Sequence, residues 1–194
     1  MKILLFLFIL LVSIPKDSFS LEIKNSNEYL IDARGDDGDI YSTYISLNKK
    51  LDKMDATVSL FLDTQWNIDI TDWEKLELGI KGEKYFFNYL YLSQSIQFIS
   101  GEILDHMVFD INGESIDTTT TIGLYIPLVW DLYLKVFEDY SINLEEFRDE
   151  YCESGARVIY DPEGLYSLSI GWQHTDRIHE FDTDYVTIGL DLEF

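Results

Sequence analysis

The feature of this sequence that most constrains its fold is a repeated alternation of apolar and polar residues. Successive side chains of a β-strand point to opposite faces, so a period of two predicts a strand with one apolar and one polar face. In one segment, Val58, Leu60 and Leu62 alternate with Ser59 and Asp63. The alternation recurs at 119–126, 130–136, 166–173 and 186–194. The pattern predicts an all-β, antiparallel fold.

Ten strands are predicted, with eight or twelve as alternatives. Short connections of turn-forming composition alternate with longer acidic ones, so antiparallel strands would place all short turns at one end of the sheet. The short connections are 49–53, 81–84, 127–129 and 161–164, and the longer ones are 35–39, 67–73, 100–116, 141–152 and 175–184. The predicted strands are 28–34, 39–50, 55–66, 73–81, 84–98, 116–126, 129–140, 153–160, 165–174 and 184–194.

Two of the longer connections carry helical signals. The segment 143–155 begins with Asn143 as a potential cap, continues with glutamates, and ends at Gly155. Leu144, Phe147 and Tyr151 in that segment recur at helical spacing. Residues 100–108 carry a weaker signal of the same kind. We therefore expect a short helix in each of these two loops.

Residues 1–20 have the composition of a cleaved secretory signal peptide. An apolar run at 3–14 follows Lys2, and the small residues Ser18 and Ser20 lie at the expected cleavage point. The run is shorter than the roughly 20 residues of a membrane-spanning helix, although an N-terminal anchor remains an alternative. Residues 21–194 are then predicted to form a single β-barrel domain.

The net charge restricts the partners of this chain. A formal charge of −22 repels nucleic acid, so no nucleic-acid partner is expected. Disorder is not implied, because 46% of the residues are hydrophobic and 15% are aromatic. The single cysteine, Cys152, cannot form an internal disulfide.

The aromatic residues distinguish a membrane barrel from a soluble β domain. Aromatics near both ends of the predicted strands would form two belts around an aliphatic band, as at the two edges of a bilayer. They are Trp66, Trp73 and Trp172 at one end and Tyr85, Phe86, Tyr125, Trp130, Tyr160, Tyr166 and Phe194 at the other. The predicted polar face, which would line the lumen, carries Asp63, Lys75, Glu77, Asp131, Lys135, Arg157, Asp191 and Glu193. A secreted soluble β-barrel or sandwich that binds a ligand is the alternative.

The final strand, "YVTIGLDLEF", resembles the closing strand of bacterial outer-membrane β-barrel proteins. Its residues Val186, Ile188, Leu190 and Leu192 alternate with polar residues and lead to Phe194. The resemblance implies an antiparallel transmembrane β-barrel in the outer membrane of a Gram-negative cell envelope, in contact with outer-membrane lipid. It further implies that the barrel assembly machinery reads the strand ending at Phe194. Short turns would then face the periplasm and long acidic loops the outside.

The segment "GWQHTDRIHEFD" contains the candidate catalytic residues His174, His179 and Glu180. His174 beside Thr175 is similar to the His beside a Ser found in some outer-membrane lipid-modifying hydrolases. In the alternation, Ser167 and Ser169 lie on the face opposite His174. A hydrolase acting near His174 is therefore one hypothesis, and two histidines in a polar loop is the simpler interpretation.

The acidic loops suggest a weak cation site. Asp36, Asp37 and Asp39 could bind Ca²⁺ or Mg²⁺ through oxygen ligands, although the spacing of a calcium-binding loop is absent. No other cofactor is expected. A lumen of about ten strands is nearly filled by side chains, so the sequence favours an envelope-structural or surface-interaction role over an open pore.

Overall fold

The computed structural model describes residues 21–35, 38–52, 54–69, 72–87, 89–100, 114–162, 165–176 and 182–194. Ten antiparallel strands close into a single barrel in which each strand pairs with its neighbours in sequence. The strands are β1 (Leu21–Asp32), β2 (Ile40–Leu51), β3 (Ala56–Asn67), β4 (Asp72–Phe86), β5 (Leu90–Ser100), β6 (Glu114–Pro127), β7 (Leu132–Asn143), β8 (Arg148–Tyr160), β9 (Tyr166–Asp176) and β10 (Thr183–Glu193). The predicted fold class and strand number are confirmed.

The seam between the first and last strands closes the barrel. Tyr29 lies opposite Ile188, and Asn25 lies opposite Leu192. Beyond the end of β10, the amide of Phe194 donates to the carbonyl of Ile23 at 2.9 Å, and the amide of Ile23 donates to the carbonyl of Phe194 at 3.1 Å. Closure leaves no edge of unpaired amides, which is the condition for a sheet to cross hydrocarbon.

The turn predicted at 81–84 is wrong. β4 continues through Lys81 and Lys84 to Phe86, and the reversal follows at 87–89, where Phe87 has a φ of 55°. Gly82 and Lys84 continue the outward phase of the strand, while Lys81 and Glu83 continue the inward phase and form an ion pair at 3.4 Å. The Gly and Lys residues resemble turn composition, but they lie in a long strand. The first strand also begins earlier than predicted, at Leu21.

The helix predicted at 143–155 is also wrong. The Oδ1 of Asn143 accepts from the amides of Glu145 at 2.9 Å and Glu146 at 3.0 Å, but this capping closes only a tight turn. Phe147 has a φ of 53°, and β8 begins directly after it. The weaker segment at 100–108 falls almost entirely outside the described residues. Among the described residues there is no helix of the length and apolar character needed to span a membrane.

The connections divide between the two ends of the barrel as the alternation predicted. At the short-turn end, β2, β4, β6 and β8 end and β3, β5, β7 and β9 begin. At the long-loop end, β1, β3, β5, β7 and β9 end and β2, β4, β6, β8 and β10 begin. Neighbouring strands are antiparallel throughout, so this division is a direct consequence of strand order.

The aliphatic side chains face outward and are exposed. In β10 the exposed residues alternate with buried ones, so Val186, Ile188 and Leu190 lie outside while Tyr185 and Thr187 lie inside. The same outward phase exposes large apolar side chains on the other strands, including Ile45, Leu92, Ile96, Phe98, Ile122, Leu124, Val136, Val158, Leu168 and Ile170. The core of a soluble β domain would bury these residues.

Most of the predicted belt aromatics that the structure describes lie on the outer face of the barrel. Two of them, Tyr125 and Tyr85, do not, and one predicted lumen residue, Asp131, is also misplaced. Tyr125 and Tyr85 share the inward phase of their strands. Tyr125 stacks on Tyr133 with ring centroids 4.9 Å apart, and Tyr85 lies 5.7 Å from Tyr91. Asp131, predicted to line the polar face, lies in the turn before β7 with a φ of 61°. The side chain of Trp73 lies outside the described residues.

Candidate functional site

The lumen is crossed by an ion pair between strands that are not neighbours. Nη1 of Arg157 on β8 lies 2.8 Å from Oε1 of Glu28 on β1, although β9 and β10 separate the two strands in the wall. Gly171 on β9 makes room for this crossing, because a Cβ there would lie 2.6 Å from Cγ of Arg157. Gly189 on β10 lies directly opposite Glu28. Because neither glycine has a side chain, no Cβ projects into the lumen where the Arg157–Glu28 pair passes.

Aromatic and cationic side chains lie around this pair. The ring of Phe137 lies 5.2 Å from both the guanidinium of Arg157 and the ammonium of Lys135. Lys135 also lies 5.6 Å from the ring of Tyr91, and Nη2 of Arg157 donates to Gln173 at 2.7 Å. At these distances the cations are stabilised by the ring faces.

A second group of lumen charges lies on β3 and β4. Asp63 is directly opposite Glu77, and both share the inward phase. Nζ of Lys75 lies 2.5 Å from Glu77, and Oγ of Ser42 donates to Asp63 at 2.9 Å. Pairing and hydrogen bonding reduce the cost of enclosing these charges.

A third group lies beside the closing seam. Nζ of Lys24 on β1 lies 2.8 Å from Asp191 and 3.8 Å from Glu193, both on β10. The two acids therefore face inward, as the alternation predicted. Leu190, which lies between Gly189 and Asp191, faces outward. The prediction that Asp191 and Glu193 line the lumen is confirmed.

No protein-family model and no curated protein sequence matches this chain. Solved structures similar to it include a KdgM porin, with a TM-score of 0.49 and 10% identity over 89% of this chain and 99% of that one. The translocator domain of the autotransporter NalP from Neisseria meningitidis has a TM-score of 0.45 and 8% identity over 100% and 96%. The β domain of the Bordetella autotransporter BrkA has a TM-score of 0.47 and 8% identity over 91% and 99%.

The decisive observation is in the fold itself: a closed antiparallel sheet that encloses its charges and exposes its aliphatic residues. This is a transmembrane β-barrel. A sheet with these two faces satisfies its backbone hydrogen bonds internally and presents an apolar band to lipid. The soluble alternative fails because the exposed residues are the aliphatic ones.

In this transmembrane barrel, His174 lies on the outer face at the long-loop end. Its Nδ1 is 2.9 Å from Oδ1 of Asp184, and its ring stacks on Trp172 at a centroid distance of 6.0 Å. The guanidinium of Arg34 forms an ion pair with the same Asp184 and donates to the carbonyl of Asp182 at 3.2 Å. Asp184 thus joins β9, β10 and the end of β1 in one polar cluster.

The serines predicted to lie opposite His174 do so: Ser167 and Ser169 share the inward phase. A different serine, Ser154 on β8, is the direct cross-strand neighbour of His174 on the outer face. Asp184 is its neighbour on the other side, so Asp184, His174 and Ser154 form one cross-strand row. The sequence could not indicate this row, because it depends on the register of three strands. His179 and Glu180 lie outside the described residues.

The candidate cation residues are only partly described. Asp36 and Asp37 lie outside the described residues. Asp39 uses both carboxylate oxygens within the rim, since Oδ2 accepts from Tyr29 at 2.8 Å and Oδ1 accepts from the amide of Asp32 at 3.0 Å. Over the part of the chain that the structure describes, no three His, Cys, Asp or Glu side chains are grouped to hold a metal ion. Among the described residues, Asp39 therefore links the start of β2 to the end of β1 through these two hydrogen bonds.

Proposed function

We propose that this outer-membrane barrel is a closed, non-conducting envelope protein whose long acidic loops form its interaction surface. The observation that supports this most directly is the Arg157–Glu28 ion pair across the lumen. Phe137, Tyr91 and Lys135 lie beside it in the lumen. A ten-stranded barrel has an interior that side chains nearly fill, whereas open porins are built from more strands.

The same proposal includes orientation and assembly. The short-turn end faces the periplasm, and the acidic long-loop end faces outward, where its charge disfavours anionic partners and favours basic or cationic ones. Residues 1–20 direct export, and the strand ending at Phe194 is read by the barrel assembly machinery. Divalent cations bound weakly at the acidic loops would bridge them to anionic lipid headgroups.

Solute efflux from proteoliposomes tests the closed state. The wild-type barrel is expected to release an entrapped small sugar no faster than protein-free vesicles. The double variant Arg157→Ala with Lys135→Ala removes two lumen side chains and is expected to raise efflux. The matched control is Lys24→Ala, which removes a lumen cation at the seam without touching the Arg157–Glu28 pair. Rapid efflux through the wild-type barrel would overturn the proposal.

A second candidate function is hydrolysis of a lipid ester at the outer face. The row Asp184–His174–Ser154 supports it, because an acid that orients a His beside a Ser is the arrangement that activates a serine nucleophile. Oγ of Ser154 would attack the ester carbonyl while His174 accepts its proton, and the alcohol would leave with that proton. Water would then release the acyl group from Ser154.

Release of a fluorescent fatty acid from labelled phospholipid tests this candidate. Ser154→Ala and His174→Ala should each abolish the activity, whereas Ser167→Ala, which changes a lumen serine, should retain it. If the wild-type barrel releases no fatty acid, or if Ser154→Ala releases it at the wild-type rate, the row is a structural feature of the rim.

A further inference from the structure

Two asparagines on β1 face outward, on the side of the sheet that contacts lipid. Asn25 and Asn27 have the outward phase of this strand, since they lie directly opposite Leu192 and Leu190 on β10. On the other side, Asn25 lies directly opposite Ile45 of β2, which is 44% exposed. Hydrocarbon offers an amide no hydrogen bonds, so each of these side chains needs partners in protein.

The side chain of Asn27 is held by its neighbours on the same face. Its Oδ1 accepts from the hydroxyl of Tyr41 at 2.9 Å and from that of Thr43 at 3.3 Å, both on β2. Its Nδ2 donates to Oδ1 of Asn25 at 3.2 Å. The hydrogen bonds therefore run in one direction, from the two hydroxyls through Asn27 to Asn25. We define Asn25, Asn27, Tyr41 and Thr43 as the amide patch.

This series of hydrogen bonds ends at Asn25. Within the described residues, Nδ2 of Asn25 has no hydrogen-bond acceptor. Its Oδ1 accepts from Asn27 and keeps a second lone pair, because a carbonyl oxygen can accept two hydrogen bonds. Asn25 thus presents an unused donor and an unused acceptor to its surroundings on the outer face.

Another amide on the outer face, Gln94 of β5, is satisfied within the wall. Gln94 is exposed and lies directly opposite Thr120 on β6. Its Nε2 donates to Oγ1 of Thr118 at 2.6 Å, and its Oε1 accepts from Thr120 at 2.7 Å. Both polar atoms of Gln94 are used in this way, whereas Nδ2 of Asn25 is not. The difference indicates that Asn25 bonds to a group outside its own copy of the chain.

A second copy of the chain supplies the group that Asn25 lacks. A carboxamide is self-complementary, since the amide nitrogen of each copy can donate to the oxygen of the other. Copies inserted in the same orientation hold Asn25 at the same depth, so a twofold axis along the membrane normal brings the two amides together. We propose that the barrel forms a homodimer in the membrane through the outer face of β1 and β2, with reciprocal hydrogen bonds between the two Asn25 side chains.

The residues around Asn25 favour such an interface. Ile23 is the preceding outward residue of β1, and Ile45 and Leu192 are the direct neighbours of Asn25 on either side. Apolar side chains from both copies would therefore enclose the amide pair. Hydrogen bonds between amides enclosed in this way hold transmembrane segments together. The dimer does not depend on a closed lumen, because no side chain of the amide patch points inward.

Cysteine cross-linking of the barrel in lipid vesicles locates the interface. In a Cys152→Ser background, Ile23→Cys places a thiol beside Asn25, and Ile96→Cys places one on the outer face of β5. Oxidation should link the Ile23→Cys barrels into dimers and leave the Ile96→Cys barrels monomeric. No dimer from Ile23→Cys, or equal yields from the two positions, would overturn the proposal.

Energy transfer between donor-labelled and acceptor-labelled barrels, measured as lipid is added, gives the dissociation constant of the dimer. Asn25→Leu removes both reciprocal hydrogen bonds and should weaken the dimer about tenfold. The free energy of unfolding of the dilute Asn25→Leu monomer should not fall, since leucine is accommodated in lipid, and this measurement excludes a folding defect. The matched control, Gln94→Leu, removes an outer-face amide outside the amide patch and should leave the dissociation constant unchanged.

Two results of the energy-transfer experiment would contradict the homodimer. A wild-type barrel that stays monomeric at the highest protein-to-lipid ratio would leave Asn25 to lipid or to a different protein. An Asn25→Leu barrel that associates as tightly as the wild type would show that the amides do not form the contact.

Discussion

Arg157 and Glu28 lie on strands separated by two others in the barrel wall, yet their charged groups are 2.8 Å apart across the lumen. The pair is therefore a strut between two parts of the wall that are three strands apart. Side chains of both residues are largely buried, at 17% and 19% exposure. A strut of this kind limits both the deformation of the barrel and the width of its lumen.

Removing one partner of the strut should destabilise the barrel. Arg157→Ala leaves Glu28 enclosed without its cation, and a broken buried pair costs about 3 kcal/mol. Denaturant unfolding in lipid vesicles, followed by tryptophan fluorescence, measures the loss. Adding Glu28→Ala should recover part of it, because the double variant has no unpaired charge. Strictly additive losses would contradict a direct interaction between the two residues.

The glycine beneath the strut should not tolerate a larger side chain. A Cβ on Gly171 would meet the carbonyl oxygen of Ala156 and lie 2.8 Å from Cα of Arg157, and backbone atoms cannot easily move away. Gly171→Ala should therefore lower the unfolding free energy by roughly 1–3 kcal/mol. Gly82→Ala is the control, because a Cβ there meets nothing within 4 Å. Comparable losses in the two variants would refute the steric explanation.

A charge on the outer face should be far more disruptive than one in the lumen. Ile188 is 48% exposed in the middle of the outward row of β10, so Ile188→Arg should cost about 2–4 kcal/mol in lipid. Ser167→Lys places a cation beside Asp191 in the lumen and should be tolerated. Unfolding in vesicles measures both free energies. Similar losses in the two would argue against a lipid-facing Ile188.

The cluster around Asp184 should control local order at the rim more than global stability. Asp184→Ala removes the acceptor shared by Arg34 and His174, and because these side chains are partly exposed, the free energy of global unfolding should change little. Deuterium uptake by the segment 30–35 should nevertheless increase. Asp176→Ala, an outward change at the end of β9, is the control. Equal deuterium uptake in the two variants would show that Asp184 does not order the end of β1.

The sequence predicted the parts of this fold that depend on local periodicity. Alternation assigned ten strands, the faces of β10 and the two ends of the barrel, because a period of two fixes which side chains share a face. The turn at 87–89 was missed because the Gly and Lys residues of 81–84 mimic a turn. The helix at 143–155 failed because the cap at Asn143 serves a tight turn just as well.

The candidate sites were less predictable, because they depend on register and closure. Ser154 lies beside His174 only through the pairing of β8 with β9. Glu28 meets Arg157 only because the sheet curves until strands three apart face one another. Periodicity placed Arg157 and Asp63 on the polar face but could not indicate which charges would find partners.

Single-channel recording tests the central claim, that this transmembrane barrel is closed, most directly. The purified wild-type protein inserted into a planar bilayer should give no stable conductance steps in 1 M KCl. The Arg157→Ala, Lys135→Ala double variant should insert equally well and show steps. Stable, uniform steps from the wild-type protein, unchanged in the double variant, would contradict a lumen closed by the Arg157–Glu28 strut and its neighbours.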